Sequence, residues 1–386
     1  MKILKYSIPN KEFYNANQSI LSDTIRMAMY QSDPTLFELL DYDNDSIFLE
    51  PTLFCHFLSD IDKAVTIPLT QCLVGYISNN NRPDLLTVRA DRFGLINLPN
   101  LGYIRANPFE PFTINSAQLT TGLIPNQSLP NSTIRLCWHP TDLLGHRQAI
   151  SFYESVEVTA KKYQKPLFQA VHFFQTKLPD FWQLIESVTR EFVVFSSPPE
   201  HHSFAGIMHH GTAYFNVENK PQTPVFFIDD IAHQCGHVIF NALTLDTETY
   251  LHVAKDFPIN EFTKASWDTR TVYGAFHGLF TYTTILHSMD SVLEATSALS
   301  KVLQHEALGR IGFYIYKFNI DLTNMNNPSI LTEAGMDYHR QFAAGYAYIY
   351  QKYQSALAGF KYSNQPYTFQ YDLFALLNPL PKTPFA

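Results

Sequence analysis

The chain has 386 residues, a formal net charge of −8 and hydrophobic residues at 46% of its positions, which is ample for a sizeable core and argues against extensive disorder. The acidic balance, without any lysine or arginine block, disfavours nonspecific binding to nucleic acid or to anionic membrane surfaces. The sequence contains no run of about 18 apolar residues, which is the length that predicts a membrane helix.

Cysteine usage and the first residues indicate the compartment. The four cysteines are widely spaced and contain no C-x-x-C, so neither a zinc ribbon nor a disulfide scaffold is indicated. The opening "MKILKYSIPNKEF" lacks the apolar stretch of a signal peptide. We therefore expect a protein of the reducing cytoplasm. The sequence does not indicate an oligomeric state.

The first 145 residues have a mixed texture. "DTIRMAMYQSDPTLFELLDYD" predicts a helix that Pro34 interrupts and that then resumes. From about residue 85, β-branched and aromatic residues alternate with Pro, Gly and Asn, which predicts short strands and turns. The segment 124–133, "IPNQSLPNST", is the best candidate for a linker. These patterns predict a mixed α/β-rich N-terminal region over 1–145.

The remainder of the chain reads as mostly helical. Apolar residues at three- and four-residue steps predict helices in "SFYESVEVTAKKYQKPLFQAVHFFQTKL" and "LPDFWQLIESVTREFVVF", the second capped by Asp180. "REFVVFSS" and "FAGIMHHGTAYFNVEN" predict short strands. Thr223 as N-cap and Pro224 at the first helical position predict a helix that runs to about Leu245. The chain is thus expected to be α+β, with a mostly helical domain over 146–386 that contains a few strands.

The helix after Thr223 contains two histidines four residues apart, in "DDIAHQCGH". At 3.6 residues per turn, His233 and His237 share one face and can present both imidazoles to one metal ion. Asp229 and Asp230 lie one turn earlier, where either could hold an imidazole by a hydrogen bond or act as a ligand. Two histidines at this spacing also arise by chance in a chain with 15 of them.

Two neighbouring residues refine this reading. Gly236, within the helix, costs about 1 kcal/mol relative to Ala, which suggests a close approach by another backbone or a substrate beside His237. Gln234 stands where H-E-x-x-H hydrolases have the Glu that takes a proton from metal-bound water. Because a neutral amide cannot hold that proton, the glutamate-dependent protease mechanism is excluded.

A third histidine lies 40 residues after His237, in "WDTRTVYGAFHGLFTYT". His277 is bracketed by Gly274 and Gly278 and is the candidate for a third ligand. Arg270, seven residues upstream, is near enough in sequence to line the same pocket. Beyond these ligand candidates, no catalytic residue is indicated.

At this point the chain resembles the H-E-x-x-H-motif peptide-modification proteins, the iron- and 2-oxoglutarate-dependent peptide β-hydroxylases. The resemblance covers roughly residues 165–350 and rests on the order of "LPDFWQLIESVTREFVVFSS", "FAGIMHHGTAYFNVEN", "DDIAHQCGHVIFNALTL", "WDTRTVYGAFHGLFTYT" and "LTEAGMDYHRQFAAGYAYI". Gln234 departs from the family motif, which puts the activity in doubt but is compatible with an oxygenase, since no hydrolytic base is needed.

The resemblance implies a function. His233, His237 and His277 would bind Fe(II), and Arg270 would bind a carboxylate of the co-substrate 2-oxoglutarate. Gln234, Asp230 and Asp229 would contact the ligands or the substrate. The expected reaction is hydroxylation of a carbon, the β-carbon of a side chain, in a ribosomally made peptide. Residues 146–386 would be the catalytic domain, and 1–145 a support or peptide-recognition region.

Two alternatives remain at this stage. The first is a zinc-dependent hydrolase with a base other than Gln234, such as Asp230, because three histidines suit zinc and iron about equally well. The second is an inactive relative that binds a peptide without chemistry. Arg310 and Arg340 are alternatives to Arg270 as the carboxylate-binding residue, although a structural ion pair is the simpler interpretation of each.

Overall fold

The structure is a computed structural model that describes residues 11–58, 67–120, 122–140, 151–218, 223–295 and 300–380. Helices outnumber short strands across these ranges, which confirms the predicted α+β class with mostly helical content. Within the same ranges, no helix combines the length and hydropathy that crossing a bilayer would require.

The chain divides into two compact units, each assembled from separate stretches of sequence. The strand-rich unit consists of Lys11–Lys165 and Ile185–Glu218, and the helical unit consists of Pro166–Leu184 and the described part of Asn219–Ala386. The sequence-based boundary between 145 and 146 lies within 141–150, outside the described residues.

Helices and nine strands build the described part of the strand-rich unit. Its helices are α1 (Lys11–Ser32), α2 (Pro34–Phe37), α3 (Asp45–Phe48), α4 (Pro51–Leu58) and α5 (Leu69–Leu73). Its strands are β1 (Leu85–Arg89), β2 (Leu95–Leu98), β3 (Gly102–Arg105), β4 (Pro111–Asn115), β5 (Ile124–Pro125), β6 (Gln127–Ser128), β7 (Arg135–Cys137), β8 (Glu191–Phe195) and β9 (Thr212–Asn216). Pro34 ends α1 and begins α2, with the Asp33 side chain accepting a hydrogen bond from the backbone N–H of Leu36, so the predicted interruption is confirmed.

The strands form three sheets. β1 pairs with β4, β2–β3–β5 form an antiparallel sheet, and β6–β7–β8–β9 form a mixed sheet in which β7, β8 and β9 run parallel. All residues of β8 and β9 are buried, as expected for strands covered on both faces. Cys137, Val193 and Tyr214 of this sheet pack in one apolar cluster.

Two sequence-based predictions are wrong in this region. The segment 124–133 is not a linker, because Ile124–Pro125 pairs with β3 and Gln127–Ser128 pairs with β7. Asp180 is not an N-cap, because the helix already begins at Pro179, which suits the first helical position. Both segments contain residues that are typical of loops, but the backbone hydrogen bonds that they form in the folded chain determine their secondary structure.

Long helices dominate the helical unit. Two helices have residues in both units, α6 (Val156–Lys177) and α7 (Pro179–Val188). The remaining helices are α8 (Pro224–Leu243), α9 (Asn260–Thr263), α10 (Val272–Glu294), α11 (Lys301–Met325), α12 (Glu333–Leu357) and α13 (Tyr371–Leu377). Single 3-10 turns occupy Asn79–Asn81, Ser116–Thr120, Ile207–His209 and Thr247–Thr249 across the two units.

Helix α8 begins as its sequence predicts. The Thr223 hydroxyl accepts a hydrogen bond from the backbone N–H of Phe226 at 3.0 Å, and Pro224 takes the first helical position. The helix is buried along nearly its whole length and packs against α10, which in turn packs against α11. This arrangement makes α8 and α10 the central pair of the unit and brings their histidines together.

Gly236 lies where α8 and α10 approach each other closely. A Cβ atom at this position would lie 2.9 Å from Thr284 Oγ1 and 3.4 Å from Thr281 Cγ2. The Thr284 hydroxyl donates to the carbonyl oxygen of Ala232 at 2.8 Å, which joins the two helices directly. The predicted close approach at Gly236 is therefore confirmed, and the neighbour is a threonine face of α10.

Candidate metal centre

The three histidines singled out by the sequence are neighbours in the structure. Helix α8 contributes His233 and His237, whose ring centroids are 5.0 Å apart, and α10 contributes His277, whose centroid lies 4.5 Å from that of His237. The two histidines of α8 are half-buried and His277 is buried. The pairing of these helices thus creates a cluster of three imidazoles with partial access to solvent, which we call the histidine cluster.

The donor atoms of the histidine cluster suit a metal ion, but their arrangement does not. Three imidazoles are a donor set that zinc and iron accept. Yet among the described residues, no three His, Cys, Asp or Glu side chains are grouped so that they could hold an ion. One reason is that His277 Nε2 lies 3.2 Å from the carbonyl oxygen of His237. The arrangement as it stands is not a coordination site, and His277 would have to turn away from that carbonyl to become a ligand.

Burial keeps two imidazoles of the cluster, those of His237 and His277, uncharged. Loss of hydration lowers the pKa of His237 to about 4. The pKa of His277 is held well below its usual range, first by burial and then by the neighbouring His237. Both rings are therefore neutral at pH 7 and retain a nitrogen lone pair, which is the form that binds metals.

Aromatic side chains surround the cluster. The ring of Phe240 lies 5.0 Å from that of His277 and stacks on Phe280 at 4.8 Å. The ring of Tyr273 lies 5.3 Å from that of His277, and its hydroxyl forms a 2.8 Å hydrogen bond with that of Thr244. These rings exclude water from His277 and provide an apolar wall.

Gln234 is fixed by its neighbour one turn earlier. Its side-chain nitrogen Nε2 donates to Asp230 Oδ1 at 3.2 Å, and both residues are buried. Its oxygen Oε1 is buried and has no hydrogen-bond partner among the described residues. The amide orientation is therefore set by Asp230, and Oε1 remains available to accept a hydrogen bond.

Asp229 belongs to a buried ion-pair cluster. Its carboxylate contacts the Arg310 guanidinium, which also donates to Glu306 Oε1 at 2.7 Å. All three side chains are nearly inaccessible, and the Glu306 carboxylate also accepts a 2.7 Å hydrogen bond from the Thr223 hydroxyl. Arg310 thus forms a structural ion pair, as the simpler interpretation predicted.

Arg270 also has its donors occupied. Asp268 accepts from its Nε at 2.9 Å and from its Nη2 at 2.8 Å, while Asp321 accepts from both terminal nitrogens at 2.7 Å. The two carboxylates are buried and the guanidinium is half-buried. Asp268 is two residues from Arg270 and could have been suspected from sequence, whereas Asp321 is 51 residues away and no sequence pattern indicates it.

The other candidates lie elsewhere. Arg340 is exposed and paired with Glu333 and Asp337, as a surface ion pair would be. His209 and His210 belong to the strand-rich unit, where they are buried and contact Tyr214 and Gln18 respectively.

No protein-family model and no curated protein matches this chain.

Proposed function

We propose that the chain is an Fe(II)- and 2-oxoglutarate-dependent oxygenase that hydroxylates a carbon, the β-carbon of a side chain, in a ribosomally made peptide. The observation that carries the proposal is the placement of His233, His237 and His277 in one cluster from two packed helices. The resemblance of "DDIAHQCGH" and "GAFHG" to the peptide β-hydroxylases supplies the reaction class.

Two features of the chain suit this chemistry, and a third disfavours hydrolysis. Bound iron with an oxoacid would supply oxygen activation, for which neutral imidazole ligands and a pocket that excludes water are suitable. The imidazoles of His237 and His277 are neutral at pH 7, and Phe240 and Tyr273 shield His277. Gln234 donates to Asp230 and cannot take a proton from water, which disfavours the zinc-hydrolase alternative.

The binding of 2-oxoglutarate by Arg270 remains a prediction. Because Asp268 and Asp321 occupy the guanidinium, a co-substrate carboxylate would have to displace one of them. Arg310 is no substitute, since it is buried between Asp229 and Glu306. Exchange of one carboxylate for another would conserve the bidentate geometry that arginine favours.

The proposal is tested without a peptide substrate. The protein is purified without oxygen and titrated with Fe(II) and then 2-oxoglutarate, and the weak visible charge-transfer band of an oxoacid chelated to Fe(II) is recorded together with bound iron. We expect the band with the natural chain and its loss, with at least tenfold less bound iron, in His277→Ala, because a ligand is removed.

A matched control separates ligand loss from damage to the helix. His287→Ala removes another buried histidine from α10, ten residues further on, whose Nε2 has no hydrogen-bond partner among the described residues. This variant should keep both the band and the iron. Tight zinc binding without a band would favour the hydrolase, and no retained metal at all would favour an inactive peptide-binding relative. Either result contradicts the oxygenase.

A further inference from the structure

The strand-rich unit contains a cleft that is independent of the histidine cluster. It has a volume of about 460 Å³, within the range of sites for small ligands, and its wall includes Arg190 just before β8. Segment 124–133, which the sequence suggested to be a linker, contributes Asn126 and Ser128 to the rim, and Thr133 follows from the turn before β7. We call this feature the Arg190 cleft.

The floor of the cleft is already saturated with its own interactions. Arg135 Nη2 lies 2.9 Å from both carboxylate oxygens of Glu50 and 2.6 Å from Glu191 Oε1. The Tyr76 hydroxyl donates to Glu50 Oε2 at 2.6 Å, and the Thr212 hydroxyl donates to Glu191 Oε2 at 3.1 Å. These buried groups already have hydrogen-bond partners within the chain, so they form a structural base rather than the part that contacts a ligand.

Arg190 differs from Arg135 in its uncommitted guanidinium, while its backbone is equally well fixed. Its backbone N–H donates to the carbonyl of Gly211 at 2.7 Å, and its carbonyl accepts from the N–H of Arg135 at 2.8 Å. Gly211 has a φ of +92°, and a Cβ there would lie 3.3 Å from Arg190 Cγ, so the glycine leaves room for the arginine stem. Among the described residues, the half-buried guanidinium has no hydrogen-bond or ion-pair partner.

The rim offers matching neutral groups. The side chains of Asn126, Ser128 and Thr133 line the same cleft, and none of them has a hydrogen-bond partner among the described residues. An amide and two hydroxyls suit the N–H and C=O groups of a peptide. A guanidinium fork suits a carboxylate, which it binds through two parallel hydrogen bonds.

We propose that the Arg190 cleft binds a carboxylate side chain of an acidic peptide segment, with Arg190 as the residue that pairs with the carboxylate. This rests on the proposed function in that the peptide would be the substrate, held through a segment other than the hydroxylated residue. Arg190 would recognise the carboxylate through short-range contacts within the cleft. Because the chain is acidic overall and the floor has two carboxylates for one guanidinium, long-range attraction does not contribute.

The test uses the full chain without iron or 2-oxoglutarate. Fluorescence anisotropy measures binding of a labelled, capped peptide of alternating glutamate and alanine, and of its glutamine counterpart. We expect the glutamate peptide to bind at least about tenfold more tightly than the glutamine peptide, and Arg190→Gln to remove that preference. Arg92→Gln is the matched control, since Arg92 is a half-buried arginine of the same unit that packs over Phe152 outside the cleft.

A second variant keeps the test informative if Arg190→Gln fails to fold. Ser128→Glu introduces a carboxylate at the exposed rim and should block the peptide by occupying Arg190 from within the chain. Equal binding of both peptides, or unchanged binding in Arg190→Gln and Ser128→Glu, would overturn the proposal and leave Arg190 only as a counter-charge to Glu50 and Glu191. The iron band is measured separately, so a lost band with intact Arg190-dependent binding contradicts the oxygenase alone.

Discussion

At the scale of single residues, Asp229 is a candidate site residue whose carboxylate forms an ion pair with Arg310 instead. It stands one turn before His233, but its carboxylate contacts Arg310, and its Oδ1 has no hydrogen-bond partner among the described residues. Burial raises its pKa to about 6, against the opposing effect of Arg310. Arg310 faces two carboxylates, Asp229 and Glu306, so one negative charge in this buried cluster is uncompensated.

This raised pKa predicts a pH-dependent stability. The folded state favours the protonated carboxyl, so its contribution is fully present below the unfolded pKa of about 3.9 and is lost as the pH rises through about 6. We therefore compare the free energy of unfolding of the natural chain with that of the Asp229→Asn variant. The difference, natural chain minus variant, should fall by about 2–3 kcal/mol between pH 4 and pH 7. Urea unfolding across this range measures it.

The sign of the pH effect is decisive. A difference that rises with pH would mean that Arg310 lowers the pKa of Asp229 below its unfolded value, as in an ordinary salt bridge. A flat difference would mean that Asp229 does not titrate in this range. Glu186→Gln, which removes a carboxylate of α7 that belongs to the strand-rich unit, serves as the control.

The candidate site was predictable from sequence where local spacing determines geometry. The four-residue step between His233 and His237 places them on one helix face, and the glycine-flanked His277 lies in the second turn of the helix that packs there. The partners of the charged residues were not predictable in the same way. Asp321 reaches Arg270 and Arg310 reaches Asp229 across 51 and 81 residues, through helix packing that no local pattern encodes.

At the scale of elements, the contact between α8 and α10 is set by a glycine. We expect Gly236→Ala to lower the free energy of unfolding by about 1–3 kcal/mol, because its Cβ would meet Thr284 Oγ1 at 2.9 Å in a packed interface. Gly278→Ala is the matched control. A Cβ there would meet Asp321 Oδ2 only at 3.6 Å, so the gain in helix propensity should leave stability equal or higher by up to about 1 kcal/mol.

Chemical unfolding of the two alanine variants compares like with like, since both glycines lie within helices of the same unit. Equal stability changes would show that α8 and α10 can separate enough to admit a methyl group. Such a result would also remove the reason for holding His237 and His277 at a fixed spacing. The expected contrast would instead establish Gly236 as the residue that sets it.

The elements themselves were predicted where capping and periodicity agree. Thr223 and Pro224 give the start of α8 to the residue, because a capping hydroxyl and a proline act locally. The segment 124–133 misled the prediction, because Pro, Asn and Ser are typical of loops. Its two short strands depend on hydrogen bonds to β3 and β7, which are properties of the folded chain and not of the segment.

At the scale of the whole molecule, the mixed sheet joins stretches on both sides of residue 145. Strands β6 and β7 come before that position, and β8 and β9 come after it. The register places Arg135 of β7 opposite Glu191 of β8, and the two side chains form a buried ion pair. A division of the sequence at 145 would therefore cut through one sheet.

This arrangement predicts how fragments behave. The fragment 146–386 would leave β8, buried at all five positions, as an open sheet edge, and would leave Glu191 buried without Arg135. An exposed apolar edge promotes aggregation, and an unpaired buried charge costs about 3–5 kcal/mol. We therefore expect 146–386 to aggregate when produced alone, and to become a soluble complex when 1–145 is co-produced, as measured by size-exclusion chromatography and circular dichroism.

The control for the fragment experiment measures the effect of the chain break alone. A full chain with a protease site inserted between 145 and 146, cleaved after folding, has the same break with the sheet already formed, so it should remain one species and keep its helical signal. If 146–386 alone were monomeric and fully helical, β8 would not need β7, and the proposed catalytic domain would be the continuous segment that the sequence suggested. If the folded and cleaved chain also separated, the β7–β8 pairing would contribute too little to hold the sheet together, and the Arg135–Glu191 pair would be a local feature without a role in assembly.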